Sequence, residues 1–104
     1  MKVYNKLVRD KIPAIIEADN KKCEIEIVKG KGKEKQELLE KKLLEEVNEY
    51  LEDKNIEELA DIMEVLYGLA KELGYSEEQL NKKREEKLKE RGGFKEGIVL
   101  KSVK

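Results

Sequence analysis

The chain is 104 residues long, enough for one compact domain, and its 38% hydrophobic content supports a core with little to spare. Lys and Arg number 23 against 24 Asp and Glu, so a net charge of −1 supplies no positive field for general nucleic-acid binding, even though 45% of the residues are charged. There is no histidine and one cysteine, Cys23, which excludes an internal disulfide, a thiolate zinc site and imidazole chemistry; any metal must be held by carboxylate oxygen, and Mg²⁺ or Mn²⁺ is the expected ion.

Asp10 is placed to cap a first helix ending near Ala18, whose opening turn accepts Pro13 because the N–H groups there lack intrahelical acceptors. Val8, Ile12, Ile15 and Ile16 share one face of it. Asp19-Asn20 ends that helix, and Cys23 to Ile27 alternates with the period of a strand. The only candidate partner for that strand is Ile98 to Val103, and the Lys29 to Lys33 run between Ile27 and the next helix reads as a flexible connector, without the P-loop pattern.

From about Glu34 to Asp53, Leu39, Leu43, Leu44, Val47, Tyr50 and Leu51 form an apolar stripe at helical spacing. After a short break at Lys54-Asn55, Ile56, Leu59, Ile62, Met63, Leu66, Leu69, Ala70 and Leu73 form a second, wider stripe that stops at Gly74. Two such helices on a short turn are expected to pack antiparallel. Ser76-Glu77-Glu78-Gln79 is a capping-box sequence for a last helix that runs to Arg91 before Gly92-Gly93, with an apolar face thin enough to lie on the outside. The expected fold is mostly all-α: a hairpin or bundle of three to four helices over residues 1–104, with small extended terminal segments as candidates to pair, completed by oligomerisation because the hairpin is thin. No leader and no long apolar run is visible, so the cytoplasm is the expected location and no membrane contact is expected.

The chemical signal is Glu45, Glu46 and Glu49 on the first long helix and Glu58 and Asp61 on the second. Residues three apart share a helix flank, and on a helical projection Glu46 falls beside Leu39 and Glu58 beside Leu69, at the edges of the apolar stripes. Carboxylates gathered at such a seam repel one another unless a divalent cation offsets them. The plain alternative is solvated charge, since Glu makes up about a fifth of the chain and Glu-x-x-Glu recurs by chance. Against that alternative stand the rarity of Asp, only four in the chain, and Val65 and Gly68 continuing the Glu58 and Asp61 flank, which suggests that something packs there.

Glu-Glu-x-x-Glu followed by Glu-x-x-Asp on consecutive helices resembles the MazG-like, all-α nucleotide pyrophosphohydrolases. Tyr4-Asn5-Lys6-Leu7-Val8-Arg9-Asp10-Lys11-Ile12-Pro13 and Glu90-Arg91-Gly92-Gly93-Phe94 are similar to motifs of the small phosphoribosyl-ATP pyrophosphohydrolase-like branch. The resemblance implies one such domain over nearly the whole chain, a site completed by dimerisation or tetramerisation, and Mg²⁺-dependent cleavage of a nucleotide substrate between its α- and β-phosphates. It implies Glu46, Glu49, Glu58 and Asp61 as Mg²⁺ ligands, with Glu45 outside them or acting as base for the attacking water. The interval from Glu49 to Glu58 is shorter than is usual in that superfamily, which bears on the register of the two pairs.

Phosphate chemistry also needs cations. Lys87 and Arg91 share a face before Gly92-Gly93, with solvated surface as the alternative; Arg9 and Lys11 sit in the N-terminal motif, where Arg9 either reaches phosphate or pairs with Asp10 or a neighbouring helix. Phe94, the one phenylalanine, is read as an anchor for the C-terminal segment ahead of a base-stacking role. The rival to an enzyme is a non-catalytic helical oligomerisation or nucleotide-sensing module.

Overall fold

The computed structural model describes residues 2–28 and 32–104. Four helices follow in order: α1 (Ile12–Ala18), α2 (Lys33–Asp53), α3 (Ile56–Glu72) and α4 (Glu77–Arg91). The all-α expectation holds, and the three longer helices fall within a residue or so of the spans that the hydrophobic periodicity predicts. Lys29 to Lys31 of the Lys-Gly run lie outside the described residues; Gly32 precedes α2 and Lys33 opens it.

The termini show which local signals acted. Lys54 ends α2 in the left-handed conformation, φ 50°, with its N–H donating to the Tyr50 carbonyl at 2.7 Å. Asn55 then caps α3, its side chain accepting from the Glu58 N–H at 3.0 Å. Two residues thus reverse the chain. At the other end of α3, Gly74 takes φ 92°, and the Tyr75 and Gly74 N–H groups donate to the carbonyls of Ala70 and Lys71, the paired bonds of a Schellman motif. Ser76 and Gln79 form the complete reciprocal capping box at the start of α4. Asp10 does not cap α1: Lys11 holds the N-cap position without a side-chain bond, and Pro13 lies in the first turn as expected.

Helices α2 and α3 form the antiparallel hairpin. Lys35 meets Glu72 at 3.5 Å, Leu39 lies over Gly68, and Glu46 lies against Asp61, so each advance along α2 is matched by an equal retreat along α3. The Leu39 side chain fills the space above Gly68: a Cβ built there would stand 3.1 Å from Leu39 Cδ2. Among the described residues the buried ones are Leu39, Val65 and Ala70, with one charged companion, Glu46. Leu39 and Glu46 belong to α2, and Val65 and Ala70 to α3.

Elsewhere little is covered. Helix α4 has no buried residue and touches α3 near its start, where the Tyr67 hydroxyl donates to Asn81 at 3.1 Å. The expected pairing of Cys23–Ile27 with Ile98–Val103 is absent: no strand occurs among the described residues, and Ile25, Ile27, Ile98, Val99, Leu100 and Val103 are exposed. Alternation alone cannot supply the partner that a strand needs for its ladder. The Cys23 thiol instead faces α1, within 3.9 Å of the Pro13 carbonyl. Phe94 is 99% exposed and anchors nothing within one chain.

The dimensions reflect this. A compact chain of this length has a radius of gyration of about 13 Å and exposes about 6,000 Å². Here the radius is 17.8 Å and the exposed area 10065 Å². No helix among the described residues is long and apolar enough to cross a membrane.

Candidate metal centre

The carboxylates sit where the register of the hairpin brings them together. In α2, Glu46 is two turns beyond Leu39 and therefore on the face that Leu39 turns into the seam. In α3, Asn55 fixes the first turn through the Glu58 N–H, and Asp61 follows three residues later on the same flank. Ligand-capable oxygens of Glu46, Glu58 and Asp61 all lie within 4.8 Å of one another, and so do those of Glu45, Glu46 and Glu49. Glu46 belongs to both groups and is the most buried of the five, with 6% of its surface exposed. Glu49 also faces Glu58 across the hairpin, so the shortened turn keeps the two acidic pairs in register.

Among the described residues, three cationic side chains border the cluster. Lys42, one turn before Glu45 and Glu46, reaches Glu46 Oε1 at 3.2 Å and Glu45 Oε1 at 3.5 Å. From the segment preceding α1, Lys6 Nζ donates to Glu45 Oε1 at 2.9 Å and Arg9 Nη2 to Asp61 Oδ1 at 2.7 Å. Arg9 thus pairs with the neighbouring helix α3 and not with Asp10. Five carboxylates against three cations leave two negative charges uncompensated when all are ionised.

Burial pushes the Glu46 carboxyl above its ordinary pKa, with the nearby Glu49 adding to the rise and Lys42 opposing it. Burial likewise raises Glu58, opposed by the proximity of the Glu49 carboxyl and helped by the charges of Asp61, Asp53 and Glu46. Glu45 moves the other way: the hydrogen bond from Lys6 holds it below the ordinary range against partial burial, with Lys42 assisting. That same bond raises Lys6.

The fit to a divalent cation rests on two orphaned atoms. Glu46 Oε2 and Glu58 Oε2 are buried side-chain oxygens with no hydrogen-bond partner among the described residues. Leaving a buried acceptor unsatisfied costs about 1–3 kcal/mol, more for a charged group, and a cation coordinated by both groups removes that cost. The donor set is all oxygen, as Mg²⁺ and Mn²⁺ prefer. The residues present therefore suit such an ion.

Other expected site residues lie apart. Lys11, Lys87 and Arg91 are exposed, and none makes an ion pair among the described residues. Helix α4 leaves the hairpin after its first turns, so the face shared by Lys87 and Arg91 does not meet the carboxylates within one chain. Sequence reasoning passed over Lys42 and Lys6. Lys42 was accessible from its three- and four-residue spacing to Glu45 and Glu46; Lys6 lay inside the N-terminal motif, but its partner is far away in sequence.

Compared with protein-family models, curated proteins and solved structures, the chain matches none.

Proposed function

We propose that this chain is a Mg²⁺-dependent nucleotide pyrophosphohydrolase of the MazG-like, phosphoribosyl-ATP pyrophosphohydrolase-like kind. It hydrolyses a nucleoside triphosphate or related nucleotide between the α- and β-phosphates, releasing a monophosphate and pyrophosphate in the cytoplasm. The observation that carries this reading is the convergence of Glu46, Glu58 and Asp61 on one helix seam, with the Glu46 and Glu58 Oε2 atoms buried and unpartnered. Solvated surface acids have no reason to leave two carboxylate oxygens dry. The resemblance of the acidic pairs and of the Tyr4 to Pro13 and Glu90 to Phe94 segments to that family supplies the reaction class.

Glu46, Glu49, Glu58 and Asp61 would hold the cation. Bound there, Mg²⁺ offsets charge on the phosphate oxygens and makes a water easier to deprotonate. Glu45 is suited to take that water's proton: Lys42, one turn earlier on the same helix, holds its Oε1 and leaves Oε2 available. Self-association as a dimer or tetramer is part of the proposal, supported by the excess exposed area and by exposed Leu44, Leu51, Met63 and Leu66 along the two long helices.

The test is pyrophosphate release from a panel of standard and modified nucleoside triphosphates and phosphoribosyl-ATP, with Mg²⁺, Mn²⁺ or EDTA. Metal-dependent release with a monophosphate product is expected; silence across the panel from folded protein removes the hydrolase reading. The same exposed area favours a second reading, a non-catalytic helical oligomerisation module. Thermal unfolding separates the two, because Mg²⁺ at a hundredfold excess over its Kd adds about 2.7 kcal/mol to a protein with a metal site and nothing to one without.

A further inference from the structure

The N-terminal motif lies on the acidic cluster, and its geometry has a consequence for how the site fills. Asn5 adopts a left-handed φ of 45°, a conformation that asparagine tolerates better than most residues, immediately before Lys6. Lys6 then reaches α2 at Glu45, with the Tyr4 ring 5.8 Å from its ammonium, and Arg9 reaches α3 at Asp61. The segment from Tyr4 to Arg9 thus straddles the two acidic helices and pins one cation to each.

Both cations remain partly in water: the Lys6 and Arg9 side chains are 42% and 53% exposed. Exposed ion pairs of this kind are weak, about 0.2–1 kcal/mol, and exchange readily. A divalent ion coordinated by the carboxylates competes for the same negative charge. A nucleotide whose phosphates such an ion attracted would lie beside these same carboxylate oxygens. Lys6 Nζ and Arg9 Nη2 already stand 2.9 and 2.7 Å from theirs. Released from the carboxylates, these side chains need only re-aim to meet the phosphates.

We propose that the segment Tyr4 to Arg9 is a cationic strap whose Lys6 and Arg9 are tethered counter-ions of the carboxylate cluster in the metal-free protein, and that metal binding hands both over to the phosphates of the incoming nucleotide. The proposal rests on the metal-site reading above and adds to it an exchange of partners and an order of filling. Metal binding has to displace the strap, and the displaced strap then favours the polyphosphate. Lys6 is thereby assigned a substrate-positioning role, and Arg9 has two successive partners.

The two halves of the exchange predict effects of opposite sign. In Arg9→Gln, and separately in Lys6→Gln, the full-length protein without nucleotide should bind Mn²⁺ about two- to fivefold more tightly, because a competing cation is gone. With Mn²⁺ saturating, the same variants should bind inorganic pyrophosphate about tenfold more weakly, because a charge-assisted contact is lost. Titration calorimetry reads both constants on one preparation, and far-UV circular dichroism confirms that the helices are intact. A strap that merely props up the fold weakens both constants together. Any pattern other than tighter metal with weaker pyrophosphate, in variants of a wild type that does bind Mn²⁺, overturns the exchange and leaves the metal site standing. A wild type that binds no Mn²⁺ removes the metal site and the strap with it.

Discussion

Helices α3 and α4 are held by different means. The α2–α3 hairpin contains every buried residue of the described chain and closes at one end with Lys35 on Glu72 and at the other with the carboxylate cluster. Helix α4 buries nothing, yet it opens with a complete capping box, carries acidic residues in its first turn and basic ones in its last, and has a Lys83–Glu86 ion pair at 3.0 Å. Local terms thus support α4, whereas tertiary packing supports the hairpin, and the strained electrostatics were placed where the packing is. The gathered like charges and the two unpartnered carboxylate oxygens thus fall in the part of the fold that tertiary packing holds together.

The comparison can be broken hardest at the cluster. Asp61→Asn should lower the rate of pyrophosphate release by at least about 100-fold while helicity by circular dichroism stays unchanged. Glu49→Gln should behave in the same way. Retained turnover in either variant would sink the metal-dependent reading. The next largest effect is on packing: Leu39→Ala should cost about 2–4 kcal/mol in urea unfolding, against less than about 0.5 kcal/mol for Leu88→Ala on α4. Equal costs would mean that α4 is buried in an assembled form, so both are to be measured across a range of protein concentrations.

A cap deletion sharpens the other side of the contrast. Ser76→Ala removes the bond to the Gln79 N–H and should cost about 1 kcal/mol, visible as fraying of α4 in hydrogen exchange ahead of any loss in the hairpin. The smallest effect is that of pH on the metal-free protein. Glu46 and Glu58 have raised folded pKa values, so the folded state holds their protons more tightly than the unfolded chain does. Their stabilising contribution is present below the ordinary carboxyl range and is lost as pH rises through the raised values. Glu45 is depressed, and its contribution is lost only as pH falls below the ordinary range. As pH rises above the ordinary carboxyl range the melting temperature in EDTA should therefore fall, and Mg²⁺, which favours the ionised carboxylates, should reverse that slope. A flat profile in both conditions would mean that Glu46 and Glu58 titrate as solvated groups.

Helix positions, the reversal at Lys54-Asn55, the Gly74 stop and the Ser76 box were determined by the sequence alone, because periodicity and caps act over one or two turns. The seam was legible as well. Glu46 beside Leu39 on a helical projection and Gly68 on the Asp61 flank became, in the fold, a buried acid and the floor on which the Leu39 side chain packs. What could not be read was anything that needs two distant segments. The alternation in Cys23–Ile27 and Ile98–Val103 shows strand preference, but whether a ladder forms depends on the two segments meeting, and within one chain they do not. Lys6 on Glu45 and Arg9 on Asp61 are likewise separated by 39 and 52 residues, and no spacing rule reaches so far. Local preference is written in neighbouring residues; which charge faces which across the hairpin was decided by the register in which Leu39 settled over Gly68.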